Sequence, residues 1–280
     1  MISIDSDKCT KCNLCSKVCT KKVISPGPVI DPAKNMFCIK CGHCYAVCPS
    51  EAITVLEFKD VAKDESTREP VSPDHLMNLI RHRRSLRFYK SEPVSREHLE
   101  KIVEAAAYAP SAKNMRRIKA YVYTDPQVIA QINGRLPEHY KKLLKIFAMP
   151  GFPLIWRWLG HSPGMLEAYR NDFKRITEDP EYQVLHHTPT LMVFTAPMKD
   201  PMSTADGWIA AQTATIFAET LGAGTCYNGY LVIAASKDKT LKEIMKIPAN
   251  EHVVSAITMG YPAMTFKRSA ARKPMRATFI

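Results

Sequence analysis

Beyond residue 50 this chain of 280 residues has a single cysteine, Cys226, and it has no uninterrupted apolar run of bilayer length. The most apolar stretch, LLKIFAMPGFPLIWRWLG at 143–160, is broken by Lys145, Pro150, Pro153 and Arg157, whereas a spanning helix needs about 20 mainly apolar residues. The opening MISIDSDKC lacks the basic and apolar regions of a secretion signal. These absences argue against a membrane protein and lead to the expectation of a cytoplasmic one. Zinc-finger pairing, an RNA-recognition motif and a long basic run are also missing, so the formal charge of +12 is not expected to serve nucleic acid. The Lys and Arg are scattered and read as a solvated basic surface, suited to an acidic redox partner steered by long-range charge. A GxGxxG dinucleotide fingerprint is absent as well, since Gly222 and Gly224 are followed by Tyr227 where the third glycine belongs. With 46% hydrophobic residues and no low-complexity tract, the composition is that of an ordinary globular core.

The other eight cysteines fall in two short runs. CTKCNLCSKVCT at 9–20 carries Cys9, Cys12, Cys15 and Cys19 in a CxxCxxCxxxC pattern, and CIKCGHCYAVCP at 38–49 repeats it with Cys38, Cys41, Cys44 and Cys48. Each cysteine lies 29 residues before its counterpart (9 and 38, 12 and 41, 15 and 44, 19 and 48), the mark of an internal duplication. Three cysteines at two-residue gaps suit one corner of an iron–sulfur cube, with the fourth pointing away to a second cube. Disulfides are disfavoured by the expected compartment, and structural zinc sites usually place a longer loop between two CxxC knuckles. The lone Cys226, in GTCYNGY, reads as a small buried hydrophobe.

Residues 1–58 resemble the bacterial two-cluster ferredoxins. The resemblance implies two [4Fe-4S] clusters, one held by Cys9, Cys12, Cys15 and Cys48, the other by Cys38, Cys41, Cys44 and Cys19. The first run ends in Thr20 where that family usually has proline. AITVLEF at 52–58 reads as a strand closing a ferredoxin-like βαββαβ unit begun by MISID.

KDVAKDESTREPVSPD at 59–74 is charged, holds two prolines and has no apolar period, and so reads as a linker to a second domain, 75–280. There SREHLEKIVEAAAYAP predicts a helix capped by serine with Leu99, Ile102, Val103 and Ala106 on one face, ending before Pro110. KAYVYT (119–124), TLMVFTA (190–196) and HVVSAITMG (252–260) predict strands, the last two central. TADGWIAAQTATIFAETLG at 204–222 is apolar almost all round, as befits a helix at the heart of a domain or dimer. The fold class is α+β, with the second domain layered.

Three separated segments of that domain carry polar and cationic residues: RHRRSLRFY (81–89), APSAKNMRR (109–117) and RSAARKP (268–274). With LGAGTCYNGY (221–230) and MGYP (259–262), in this order and spacing, they are similar to the FMN-dependent nitroreductase family over about 75–280, and poorly so over 130–185. The resemblance implies an αβα fold and a homodimer with FMN at its interface. It assigns Arg83, Arg84 and Ser85 to the phosphate and ribityl chain and Arg87 to the pyrimidine edge. Ser111 and Asn114 would come from the other subunit, Asn228 and Gly229 would run beside N5, and Arg272 with Lys273 would supply a C-terminal phosphate contact. MRRIK replaces the usual QPW continuation after Asn114. The chemistry suits the residues, because guanidinium forks match phosphate oxygens and a cation near N1 favours anionic reduced flavin.

The aromatic interval containing Phe147, Phe152, Trp156, Trp158 and Tyr169 reads as a lid over the flavin, with ordinary packing or dimer contact as the alternatives. His186 and His187 are read as satisfying local packing, with no metal assigned. Clusters pass electrons singly and flavin delivers pairs, so the expected function is an iron–sulfur flavoprotein oxidoreductase. Electrons would run from a low-potential donor such as ferredoxin through two clusters to FMN and a small organic acceptor. A flavin-binding relay that passes electrons to a protein partner is the alternative.

Overall fold

The computed structural model describes residues 2–58, 69–198 and 200–280. Its contacts divide the chain into two compact units, Met1–Pro70 with Ser111–Arg116, and Val71–Pro110 with Arg117–Ile280. Of the expected linker, residues 59–68 lie outside the described residues, and its last two, Pro73 and Asp74, open a helix.

In the first unit β1 (Ile2–Ile4) leads to α1 (Leu14–Val18), the short β2 (Ile24–Ser25) and β3 (Val29–Ile30), then α2 (His43–Val47) and β4 (Ile53–Val55). This is the β-α-β-β-α-β order expected of residues 1–58, although the last strand is shorter than AITVLEF and 56–58 turn into a 3-10 helix. Strand β1 pairs antiparallel with β4, Ile2 opposite Val55 and Ile4 opposite Ile53. Ile2, Ile24, Ile53 and Val55 form a small core with Cys15 and Cys44. The duplication extends to the backbone. Left-handed residues recur at Lys11 and Lys40 (φ 56° and 54°), Asn13 and Gly42 (62° and 77°), and Lys22 and Glu51 (52° and 50°), each pair with the spacing of the cysteines. Side chains disfavour this conformation, so its recurrence at matched positions marks a turn geometry that both runs require.

The second unit is built on a sheet in the order β5-β6-β8-β7, with β5 (Lys119–Tyr123), β6 (Thr190–Pro197), β7 (Gly224–Tyr227) and β8 (Glu251–Gly260) all antiparallel to their neighbours. Strands β6 and β8 are central, as their apolar runs predicted. Strand β6 is buried at every residue but the last because both its faces are covered. Leu191 and Val193 join a core with α5 (Pro126–Phe147), α7 (Pro163–Glu178), α9 (Gly229–Ala235) and α10 (Lys239–Ile244). Met192, Phe194 and Ala196 face the opposite way, onto α4 (Arg96–Ala107) and α8 (Ser203–Thr220). The helix α3 (Pro73–His82) precedes these, and α6 (Phe152–Trp158) lies between α5 and α7.

Helix α4 starts where the sequence places it, with Ser95 Oγ accepting from His98 N, and it buries Leu99, Ile102 and Ala106. Helix α8 lies close on the sheet because its inner face is small. A Cβ at Gly207 would stand 2.2 Å from Val254 Cγ2, and Ala210, Ala211, Ala214 and Ala218 continue that face. Its other face leaves Trp208 39% and Ile209 41% exposed.

Candidate functional site

The cysteines of the second repeat surround a cavity at the start of α2. Cys38, Cys41 and Cys44 line it together with Cys19 from the first repeat, and Ile2, Val23 and Val55 close its apolar side. Burial pushes the Cys44 thiol up to about 11, and charges on Cys41, Cys38 and Cys19 push the same way. Cys15 is raised by burial and by Cys12 and Cys9. The fourth cysteine of each repeat is seated alike: Cys19 Sγ accepts from Val23 N at 3.3 Å and Cys48 Sγ from Ala52 N at 3.3 Å. Among the described residues no three His, Cys, Asp or Glu converge as ligands of a single ion. A cube spreads its thiolates over separate irons, and the mixed set around this cavity fits one. A group of this kind binds thiolate, so its presence would reverse the upward shift of the free thiols.

Residues 83–89 are held by the edge of the sheet in the second unit. Ser85 makes a parallel bridge to Thr225, Leu86 N donates to Thr225 O at 2.9 Å, and Tyr89 Oη contacts Leu86 O and Thr258 Oγ1. Gly224 is glycine for this reason, since a Cβ there would meet Leu86 Cδ2 at 2.4 Å. The segment presents three guanidinium groups, none in an ion pair among the described residues. Arg83 donates to Arg84 O, Arg84 to Arg81 O, Arg83 O and Arg268 O, and Arg87 to Ser85 O. Uncompensated cations at this density suit an anionic ligand such as a phosphate. Beneath them Cys226 is buried, as expected of it, and burial pushes its thiol up against the opposing effects of Arg87, the Ser85 hydroxyl and Arg83.

The remaining expected contacts are placed unevenly. Asn228 is buried and its groups are occupied: N–H to Ala256 O at 2.9 Å, Oδ1 from Leu231 N at 2.9 Å, and Nδ2 to Val184 O at 2.7 Å. Its side chain therefore caps α9. Gly229 is the first residue of α9, exposed, with nothing within 4 Å of where a Cβ would be. Its N–H has no acceptor within the helix by position, so an apposed ring has room to approach. Ser111 and Asn114 belong to the first unit by contact. Ser111 Oγ accepts from Arg116 N at 3.0 Å, closing its own turn, and Asn114 Nδ2 donates to Ile39 O and Lys40 O. Arg272 and Lys273 are exposed, in a terminal stretch exposed throughout 262–280, and make no hydrogen bond or ion pair among the described residues.

Residues 80–261 match the Nitroreductase family, and residues 1–49 match the 4Fe-4S dicluster domain. The chain belongs to the nitroreductase family. It is 27% identical over 197 residues to the FMN reductase [NAD(P)H] of Bacillus subtilis, a match covering 68% of this chain and 66% of that protein. The chain thus spans just under two thirds of that relative's length. Among solved structures, a nitroreductase with bound FMN from Bacteroides fragilis superposes with a TM-score of 0.58 at 20% identity, covering 73% of this chain and 98% of that one. A nitroreductase with bound FMN from Desulfitobacterium hafniense gives 0.57 at 19%, covering 73% and 97%. At these identities the two structures establish a shared fold. The nitroreductase-like αβα arrangement is the one the sheet and its two covered faces display.

Within this family member the divergent interval is chiefly structural. Ile132, Leu136, Tyr140, Phe173 and Ile176 belong to the sheet's core, and Phe147 stacks with Phe152 at 4.9 Å and lies 5.7 Å from Trp156. Of the aromatic residues expected to cover a ligand, Trp158 stands out of this cluster, 85% exposed. The residue that sequence reasoning passed over is His186. It and His187 both adopt positive φ, 55° and 49°, in the turn whose Val184 carbonyl is held by Asn228. Burial first, then Arg87 and His187, together lower His186 to about 4. The paired histidines were visible in the sequence, but their closeness to Arg87 is a tertiary fact. Among the described residues no helix is long and apolar enough to cross a membrane.

Proposed function

We propose that this chain is an FMN-dependent oxidoreductase whose N-terminal unit carries two [4Fe-4S] clusters and feeds the flavin from a low-potential donor such as a ferredoxin. The observation that carries the reading is the cavity at the second repeat, where Cys19 joins Cys38, Cys41 and Cys44, in the same chain as the guanidinium groups of Arg83, Arg84 and Arg87, which make no ion pair among the described residues. The ferredoxin-like reading of the first unit is supported by its element order and by the match to a dicluster domain. When bound, the clusters supply single electrons and FMN gathers them into pairs for a small organic acceptor, a nitroaromatic, a quinone or a similar compound.

The chain's own residues do the holding and aiming. Arg83, Arg84 and Ser85 bind the phosphate and ribityl end, and Arg87 places a permanent positive charge beside the ring system, where it favours the anionic reduced form. His186, kept neutral at ordinary pH by burial and by Arg87, presents an uncharged imidazole near that charge. Gly229 leaves space for close approach. Arg272 and Lys273 supply the C-terminal phosphate contact, and the exposed apolar face of α8, with Trp208 and Ile209, supports a homodimer. Cytoplasmic placement accords with thiolate ligands that must stay reduced.

The test is an anaerobic preparation assayed for iron, acid-labile sulfide and flavin, then mixed with reduced ferredoxin or NAD(P)H. About eight irons and one FMN per chain, with flavin reduction faster from ferredoxin, is the expected result. Zinc without sulfide sinks the cluster reading. Full reduction by NADPH in a protein stripped of both clusters removes the purpose of the wire. Flavin and clusters without turnover of any small acceptor, but with transfer to a protein, favours the relay reading.

A further inference from the structure

The two cysteine runs are near copies in sequence and backbone, yet among the described residues one of them has a partner that the other lacks. Residues Ser111–Arg116 pack within the first unit against the loop between Cys38 and Cys41. Asn114 Nδ2 donates to Lys40 O at 2.8 Å and to Ile39 O at 3.2 Å, and Arg116 Nη2 reaches Lys40 O at 3.4 Å. Arg116 is held there by Glu57 Oε2 at 3.6 Å and by the Phe58 ring, whose centroid is 5.6 Å from its Cζ. Glu57 also pairs with Lys40 Nζ. At the matching place in the first run, the carbonyls of Thr10 and Lys11 receive no such bond among the described residues.

The contact falls on a peptide group that touches a cysteine. The Ile39 carbonyl that accepts from Asn114 belongs to the same peptide unit as the Lys40 N–H, and that N–H donates to Cys38 Sγ at 3.4 Å. A hydrogen bond accepted at one end of a peptide unit polarises it and strengthens the donor at the other. Donors to cluster sulfurs and nearby positive charge stabilise the reduced cluster, which carries one more negative charge, and so raise its potential.

We propose that Asn114 and Arg116 are positioning residues for the iron–sulfur site of the second repeat, fixing the Cys38–Cys41 loop and raising the potential of the cluster held there relative to the other. This rests on the cluster reading above, and it gives Asn114 a role at the second cluster in place of the flavin contact that family resemblance implies. The hydrogen bonds from Asn114 and Arg116, which the first run does not receive among the described residues, then form one device that makes two near-identical ligand sets electrically unequal. An unequal pair has a direction, because an electron settles on the cluster of higher potential.

The experiment is an EPR-monitored redox titration of the full-length holoprotein, with the second cluster's signal identified by its loss in Cys44→Ser. Asn114→Ala is expected to keep wild-type iron, sulfide and FMN while moving that one midpoint to more negative potential. Arg116→Ala should move the same midpoint the same way, and Asn114→Asp, which replaces a donor by a negative charge, should move it further. Loss of FMN from Asn114→Ala with both midpoints unmoved returns Asn114 to the flavin and overturns the inference. Equal movement of both midpoints in Asn114→Ala and Arg116→Ala also overturns it, since a general opening of the unit does that. Absence of iron and sulfide from the unmodified protein is a different failure, which sinks the cluster reading before any variant is compared.

Discussion

The side-chain amide of Asn228 donates to the carbonyl oxygen of Val184 at 2.7 Å while its Oδ1 accepts from Leu231 N at 2.9 Å. One buried residue therefore caps α9 and ties it to the turn that carries His186 and His187. Asn228→Ala is expected to lose a helix cap worth about 1 kcal/mol and to leave a buried carbonyl unpaired at about 1–3 kcal/mol. Asn228→Asp keeps the acceptor that caps the helix but turns a carboxylate oxygen towards the Val184 carbonyl, so its cost reports on that side of the residue alone. Chemical denaturation followed by near-ultraviolet circular dichroism measures both. An Asn228→Asp cost near zero would mean that the tie to Val184 contributes nothing, and equal costs for the two variants would mean that the cap contributes nothing.

Gly207 is required by packing. A Cβ at this position would stand 2.2 Å from Val254 Cγ2 and 2.9 Å from its Cβ, and the branched valine has little freedom to turn away. Gly207→Ala should therefore destabilise the second unit by about 1–3 kcal/mol through overpacking, despite the better helix propensity of alanine. Adding Val254→Ala should recover part of the loss. If Gly207→Ala proves neutral or stabilising in thermal unfolding, α8 does not lie this close to the sheet.

The pH dependence of stability should carry the mark of His186. Its imidazole is lowered from an ordinary 6.5 to about 4 by burial first, then by Arg87 and His187. Tyr182, also half-buried, feels the same arginine. The unfolded chain takes up a proton near pH 6.5 that the folded chain accepts only near pH 4. Stability is then level above pH 6.5, falls between 6.5 and 4, and is level again below. The loss is at most about 3 kcal/mol and is reduced by the water the half-buried ring still meets. His186→Asn, tolerant of a positive φ, should flatten that interval, and denaturation midpoints measured from pH 4 to 8 would show it. An unchanged slope would assign the pH dependence to other groups.

Flavin affinity should depend on the guanidinium groups of Arg83, Arg84 and Arg87, which make no ion pair among the described residues. A charge-assisted hydrogen bond contributes about 1.5–3 kcal/mol, so Arg83→Ala should weaken FMN binding by roughly 10- to 100-fold. Arg83→Lys keeps the charge but loses the fork, and it should recover only part. Fluorescence quenching of FMN on titration with apoprotein reads the constant directly. Wild-type affinity in Arg83→Ala would move the phosphate away from this helix end.

Much of this was legible along the chain, for local reasons. Ser95 announced the start of α4 because a cap acts on a neighbour three residues away, and the unbroken apolar run of β6 announced a strand covered on both sides. The cysteine spacing announced its duplication because both copies obey the same turn geometry. Long-range placement was not legible. Asn228's work as a cap and tie was hidden, because its partners Val184 and Ala256 come from other elements. The aromatic interval could be read as a lid or as packing, and only the fold sets Phe147 and Tyr169 against the core while leaving Trp158 exposed. Asn114 has a loop of the cysteine module as its partner, from a part of the sequence 74 residues upstream. His186 gained its importance only when folding placed it by Arg87.

Cys19 offers the sharpest test of the paired arrangement, since it lies in the first run of the sequence and lines the cavity of the second. If it belongs to that cavity, Cys19→Ser should alter the same EPR signal that Cys44→Ser abolishes and leave the other intact, with iron falling from about eight towards about four per chain. Cys226→Ser is the control, because this buried thiol lies in the other unit under Ser85 and Arg87 and should leave the iron count unchanged. The alternative, in which each run wraps its own cluster, predicts that Cys19→Ser damages the signal lost in Cys15→Ser. The two arrangements differ in one fourth ligand each, and that ligand decides whether the repeats are independent modules or halves of one folded unit.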